Sequence, residues 1–441
     1  MSEAVSLTYR VVPGGVLSGS LRVPGDKSIS HRAVMLAALA NGVSEVYGFL
    51  TGEDCLCTMQ AFQQMGVRID REGDTTLRVH GVGLHGLSAP PAPLDLGNSG
   101  TSMRLMSGLL AAQRFPSVLT GDASLSRRPM GRVIDPLSRM GARIDAEAGG
   151  RAPLRITPVA GLKGIHHASP VASAQVKSSL LLAGLYAEGE TAVSEPGASR
   201  DHTERMLRAF GVEVSSETGR AALRGGQTLQ ATRIDVPADI SSAAFFLVGA
   251  AISPGSDVLL TGVGLNPTRD GIVRVLRAMG ARIDILDPRT AGGEPVADLR
   301  VRGSVLRGIA VDPALVAATI DEFPALFVAA ACARGETVVT GAEELRVKES
   351  DRIATMCNGL RALGISAIPQ PDGARIFGGR LQGGVVDAHG DHRVAMSFAM
   401  AALRAEQPIT ILDCANVNTS FPGFARLAAG AGLRLVERAG A

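Results

Sequence analysis

An α/β protein of two lobes, each assembled from three copies of one helix-and-strand unit, is the fold that this 441-residue sequence predicts. Three observations lead there. The string Met140-Gly-Ala-Arg-Ile-Asp returns letter for letter at 279–284, and looser copies begin at Met65, Phe210, Leu363 and Ala431. Strongly apolar helix-like runs, such as Ala33-Val-Met-Leu-Ala-Ala-Leu-Ala, lie between the copies. The chain is also longer than the ~250–300 residues at which a single core stops growing.

The glycines of the repeated string fall at positions 66, 141, 211, 280, 364 and 432. Each follows a helix-like segment, for example Val273-Arg-Val-Leu-Arg-Ala-Met, and precedes an alternating one. A glycine in that place is a helix C-cap turning into a strand. A second helix series opens at Gly25-Asp-Lys-Ser, Asn98-Ser-Gly-Thr, Ser173-Ala-Gln, Asp239-Ile-Ser-Ser, Thr319-Ile-Asp-Glu and Gly390-Asp-His-Arg. Each start carries capping residues and runs into sequence that is apolar nearly all round, so these six helices are expected inside and the strands outside.

Every unit then reads helix, strand, second helix, strand and a closing pair of strands. The sixth, starting at 391, is short of its closing strands, and the segment 9–24 supplies sequence of that type. The expected lobes are 25–238 and 1–24 plus 239–441, with hinges at Pro24-Gly25 and Pro237-Ala238.

Composition excludes several classes. Forty-four Lys and Arg against 42 Asp and Glu give a net charge of +2 without a basic tail, and only 3% of residues are aromatic, so no nucleic-acid partner is expected. The longest apolar stretches are about half the ~20 residues a membrane span needs. The start, Met-Ser-Glu-Ala-Val-Ser-Leu-Thr, has no basic region followed by an apolar run. Five cysteines without a CxxC pair point to a reducing compartment. These features read as a cytoplasmic protein, expected to act as a monomer.

Polar residues that a core does not need gather at two recurring places. One is the start of the buried helices: Lys27, Ser28 and Arg32; Asn98, Gly100 and Thr101; Ser173, Ala174 and Gln175; Asp321 and Glu322; Asp391, His392 and Arg393. The other is the loop before each second helix: Arg127 and Arg128, Arg200, then Lys348, Glu349 and Arg352. Taken singly, each is an ordinary N-cap or a solvated charged loop. Their recurrence in matching positions favours a shared cleft lined by free helix amides and arginines, which suits small polyanions. His389 and His392 lack a third ligand and the zincin pattern, so no metal is expected.

The motifs Pro24-Gly-Asp-Lys-Ser-Ile-Ser-His-Arg, Gly97-Asn-Ser-Gly-Thr, Arg128-Pro-Met, Ser173-Ala-Gln, Asp321-Glu-Phe-Pro, Lys348-Glu-Ser-Asp-Arg and Asp391-His-Arg, in this order, resemble the signatures of the 3-phosphoshikimate 1-carboxyvinyltransferase family. The resemblance implies two inverted α/β barrels of three repeats each, and transfer of the enolpyruvyl group of phosphoenolpyruvate to the 5-hydroxyl of shikimate 3-phosphate, with no cofactor. By motif position it implies Asp321 as base, Glu349 as proton donor and Lys27 touching both substrates. It implies Lys27, Ser28, Arg32, Ser173, Ala174, Gln175, Arg200, Asp321 and Lys348 around shikimate 3-phosphate. It implies Lys27, Gly100, Arg128, Gln175, Arg352 and Arg393 around phosphoenolpyruvate.

Asn418 stands where several members carry Lys. Ser173-Ala-Gln with Arg200-Asp-His-Thr-Glu is similar to a branch that includes glyphosate-tolerant members, yet Gly100 replaces the Ala they carry, so a glyphosate-sensitive enzyme is expected. UDP-N-acetylglucosamine enolpyruvyl transferase, which shares fold and donor, uses a loop cysteine that the stretch 112–130 lacks. A non-catalytic phosphate-binding protein on the same repeats would not need both Asp321 and Glu349.

Overall fold

The structure is a computed structural model that describes residues 7–439. Residues 1–6, which bear on the reading that no targeting leader is present, lie outside the described residues, as do 440–441. The chain divides into two compact units, one taking Gly25–Val236 and Thr290–Glu294, the other the chain up to Pro24, Pro237–Arg289 and the chain from Pro295. The sequence kept 239–441 undivided. Two differences remain: Pro237 and Ala238, expected in the first lobe, belong to the second unit, and the hairpin tip Thr290–Glu294 belongs to the first, where Glu294 is hydrogen-bonded to His202.

Six helices form the interior: α1 (Lys27–Leu39), α2 (Gly100–Leu110) and α3 (Ala174–Gly184) in the first unit, then α4 (Ile240–Ile252), α5 (Phe323–Ala331) and α6 (His392–Ala401) in the second. All thirteen residues of α4 are buried, as a helix that is apolar all round requires. Each unit is thus an inverted α/β barrel with its own hydrophobic core. Asp26, Ser99, Ser173, Asp239 and Asp391 cap α1, α2, α3, α4 and α6 through a side-chain oxygen that accepts a backbone amide. α5 differs: Glu322 precedes it without a side-chain cap, and its Pro324 occupies the first turn, where a missing amide costs nothing.

The outer strands alternate, as in Arg151–Thr157, where Ala152, Leu154 and Ile156 point inward. The repeated glycines 66, 141, 211, 280, 364 and 432 all take left-handed φ, from 84° to 116°. After each, the next amide reaches back to a helical carbonyl: Val67 to Phe62, Ala142 to Leu137, Val212 to Leu207, Ala281 to Leu276, Ile365 to Leu360 and Leu433 to Ala428, at 2.9–3.1 Å. That is the Schellman closure, and it turns each helix directly into a strand.

In the first unit each repeat lends its last strand to the next. Leu94–Asp95 lies parallel to Ser117–Thr120, His166–Ala168 to Glu190–Ser194, and Arg233–Asp235 returns to Ala40–Tyr47. The second unit closes in the same way through the amino-terminal segment. Leu7–Val11 sits antiparallel between Ile409–Leu412 and Leu435–Ala439, and so completes the sixth repeat. Two details differ from the sequence reading. The sixth repeat does have a strand after its glycine, Leu435–Ala439, and lacks only that strand's partner. Ser18–Leu21 does not join the sixth sheet but pairs parallel with Asp257–Gly264, because it plays the part of the lent strand. Among the described residues no helix is long and apolar enough to cross a membrane.

Candidate active-site residues

In the first unit the expected residues gather at the starts of α1, α2 and α3. Lys27 opens α1 and forms an ion pair with the buried Asp54. Arg32, one turn on, is buried and shared out: Nε donates to Thr203 Oγ1 (2.6 Å), Nη2 to Ser178 Oγ (2.8 Å) and Nη1 to the Ser28 carbonyl (2.9 Å). Burial pushes its guanidinium down to about 10, opposed by Glu204 and Asp26, so it stays cationic near neutrality. His31, in the same turn, meets Thr58 Oγ1 at 2.8 Å and Ser102 Oγ at 3.2 Å. Burial first, then Lys27 and Arg32, hold it well below its usual 6.5, so it is a neutral structural hydrogen-bonding group.

Gly100 opens α2, Gln175 is the second residue of α3, and Arg104 joins them. Arg104 Nη1 donates to Gln175 Oε1 (2.8 Å), while Gln175 Nε2 donates to Thr101 Oγ1 (2.9 Å). Arg128 reaches the α2 start by donating to Asn98 Oδ1 (2.7 Å) and to Ser124 Oγ (3.2 Å). Asn98 in turn donates to Asp122 Oδ2 at 2.7 Å. Ser173 caps α3, directly before Ala174, and its own amide donates to Glu195 Oε1 at 2.6 Å. Arg200 lies in the half-exposed loop just before the helix His202–Ala209.

In the second unit one buried cation ties the carboxylates together. Arg352 is 1% exposed and opens the helix Arg352–Ala362. Its Nε donates to Asp391 Oδ2 at 2.8 Å, its Nη2 donates to Glu349 Oε2 at 2.6 Å, and its Nη1 is 3.5 Å from Asp321 Oδ1. Burial opposes the charge on Arg352, yet Asp391 and Glu349 outweigh it and raise its pKa. Burial likewise would raise Asp391, but the Arg352 charge prevails and keeps its carboxyl below the usual range. Lys348 Nζ adds a second cation 3.5 Å from Asp321. Arg393 follows the fully buried cap Asp391, which accepts its amide at 2.9 Å. Asn418 is exposed, in the turn Ala415–Thr419. Glu322, grouped with Asp321 by sequence, instead turns to Ser241 Oγ and lies near Arg269, so it is a structural link between α4 and α5.

Sequence reasoning missed Asp54, Arg104, Lys177, Glu195 and Glu204. Arg104 and Lys177 were findable, since each stands four residues after a helix-start candidate and shares its face. Of the three acids, Glu204 closes the string Arg200-Asp-His-Thr-Glu, whereas Asp54 and Glu195 carry no local signal. Burial pushes the thiols of Cys57 and Cys357 up to about 11 and those of Cys332 and Cys414 up to about 12, which disfavours the nucleophilic thiolate at these four positions. Among the described residues one group has metal-ligand character, Asp201, His202 and Glu294, with ligand atoms within 4.8 Å of one another. Its contacts include a His202 Nδ1–Glu294 Oε1 hydrogen bond (2.8 Å) and an Asp201–Arg205 ion pair (2.8 Å).

A family model described as EPSP synthase (3-phosphoshikimate 1-carboxyvinyltransferase) matches residues 11–427. A 3-phosphoshikimate 1-carboxyvinyltransferase of Methylococcus capsulatus is 66% identical over 427 residues, 97% of this chain and 98% of the relative. That of Alkalilimnicola ehrlichii is 63% identical over 432 residues, 98% of this chain and 97% of the relative. The structure of EPSP synthase from Acinetobacter baumannii superposes with a TM-score of 0.89 at 53% identity, covering 98% of this chain and 100% of that one. The chain belongs to the 3-phosphoshikimate 1-carboxyvinyltransferase (EPSP synthase) family and is an enolpyruvyl transferase.

Proposed function

We propose that the chain joins phosphoenolpyruvate to the 5-hydroxyl of shikimate 3-phosphate and releases phosphate, with Asp321 as base and Glu349 as acid. The observation that carries the residue roles is the bridging of both carboxylates by one buried guanidinium, Arg352. An addition–elimination needs a base near the attacking hydroxyl and an acid near the methylene carbon, and the two exchange parts in the second step. In the first step the 5-oxygen bonds to the central carbon of the enol, its proton passing to Asp321, while Glu349 protonates the methylene. In the second, a methyl proton returns to Glu349, Asp321 passes its proton to the departing phosphate oxygen, and the C–O bond to phosphate breaks, restoring the double bond.

The cationic helix starts supply the binding. Lys27, Ser28, Arg32, Ser173, Ala174, Gln175, Arg200 and Lys348 hold shikimate 3-phosphate, whose phosphate suits free helix amides and guanidinium groups. Gly100, Arg128, Gln175, Arg352 and Arg393, together with Lys27, hold phosphoenolpyruvate. The chemistry uses no covalent enzyme intermediate, in keeping with the raised thiol pKa values. The family match does not favour a UDP-N-acetylglucosamine acceptor. The setting is the cytoplasm and the acting form a monomer.

The test is phosphate release on mixing both substrates with wild type, Asp321→Asn and Glu349→Gln. Wild type turns over, and each variant falls by roughly 10²–10⁴-fold, the usual worth of a positioned acid or base. Near-wild-type turnover in either variant removes that residue from the mechanism.

A further inference from the structure

Beside the proposed phosphate-binding residues lies a buried ionic cluster that no step of the reaction uses. Lys177, in the second turn of α3, has its ammonium 2.9 Å from Glu204 Oε1 and 3.3 Å from Glu195 Oε2, and all three side chains are at most 6% exposed. Charges so buried persist only when paired, so the cluster is a fixed piece of the unit. Glu195 does more than neutralise Lys177. Its Oε1 accepts the amide of Ser173 at 2.6 Å, and its Oε2 accepts the hydroxyl of Ser199 at 2.6 Å.

Those two contacts fall on two separate pieces of the proposed substrate site. Ser173 is the residue from which α3 starts, so its amide fixes where Ala174 and Gln175 present theirs. Ser199 directly precedes Arg200. On the other side of Arg200, Asp201 is held by Arg205 Nε at 2.8 Å. Arg200 therefore sits in a half-exposed loop whose flanking residues are both tethered, one of them to the same carboxylate that fixes the α3 start. The far end of the cluster is anchored too. Glu204 lies beside Thr203, which accepts Arg32 Nε at 2.6 Å and shares a 2.7 Å hydrogen bond with Ser178.

We infer that Glu195 is a positioning residue for shikimate 3-phosphate, holding the α3 start and the Arg200 loop in one register so that serine, helix amides and guanidinium meet the phosphate together. The inference rests on the proposed binding site. A binding group held in place before the ligand arrives spares the entropy of ordering it, and a displacement near 1 Å forfeits much of that gain. Glu195→Gln keeps an acceptor for the Ser173 amide but sets an NH₂ group toward the Lys177 ammonium and loosens one end. Ser199→Ala cuts only the link to the Arg200 loop and leaves the buried ion pairs whole.

Steady-state kinetics of wild type, Glu195→Gln, Ser199→Ala and Arg200→Ala, with melting temperatures, decide the matter. KM for shikimate 3-phosphate rises about tenfold in Glu195→Gln and about threefold in Ser199→Ala, with kcat and KM for phosphoenolpyruvate changing far less. A merely structural role lowers the melting temperature and leaves that KM unmoved, and this outcome in both variants overturns the inference. Should Glu195→Gln fail to fold, Ser199→Ala alone carries the test. Arg200→Ala reports on the underlying site by itself: a raised KM there with unmoved KM in the other two isolates the failure to positioning. An unmoved KM in Arg200→Ala overturns the site assignment and the positioning role with it.

Discussion

A methyl group at position 100 would lie 2.8 Å from Arg104 Nη1 and 3.2 Å from Arg128 Nη1. Both are ends of flexible side chains, so the backbone need not move, but the guanidinium groups must. Arg128 is a proposed phosphoenolpyruvate ligand, and Arg104 holds Gln175. Gly100→Ala therefore folds, raises KM for phosphoenolpyruvate modestly, and weakens glyphosate further, because the longer inhibitor meets both the methyl and the displaced guanidinium groups. The expected ratio of glyphosate inhibition constant to phosphoenolpyruvate KM rises roughly tenfold or more, about 1.4 kcal/mol. Wild type is expected to be sensitive. A tolerant wild type, or a ratio unchanged by the substitution, would show that this one methyl does not decide discrimination.

Helix starts and helix ends are where the sequence was most legible. An Asn-Ser-Gly-Thr or Gly-Asp-Lys-Ser start announces its own cap, and Met-Gly-Ala-Arg-Ile-Asp announces a left-handed glycine, because both are short-range hydrogen-bond patterns. Contacts that span the chain left no such mark: Glu195 meets Lys177 from another element, and Ser18–Leu21 finds its partner at Asp257–Gly264. The α6 cap belongs to both kinds at once. Asp391 accepts the Arg393 amide locally and also pairs with Arg352 from a different helix. Asp391→Asn keeps the cap and removes the charge, leaving Arg352 buried with less compensation. Its cost is about 3–5 kcal/mol. Asp391→Ala loses the cap as well, adding about 1 kcal/mol. Urea unfolding midpoints measure both, and equal losses in the two variants would show that the cap contributes nothing.

Each unit of the molecule has a hydrophobic core of its own, with Leu36 buried in one and Leu326 in the other. Leu36→Ala and Leu326→Ala each leave a cavity worth about 2–5 kcal/mol. Each is expected to lower the unfolding midpoint of its own unit, read by hydrogen exchange on peptides from 25–236 and from 295–439. Equal losses in both sets of peptides would make the chain one cooperative body. The strand Leu7–Val11 bears on how the chain is born. The unit of Gly25–Val236 emerges from the ribosome almost whole and can fold at once. Leu7–Val11 cannot, since its neighbours Ile409–Leu412 and Leu435–Ala439 follow about 400 residues later. At ~5–20 residues per second that wait is on the order of 20–80 s. For that time Leu7–Val11 has neither of its native neighbours, so the nascent chain must keep it from pairing elsewhere until those strands are made.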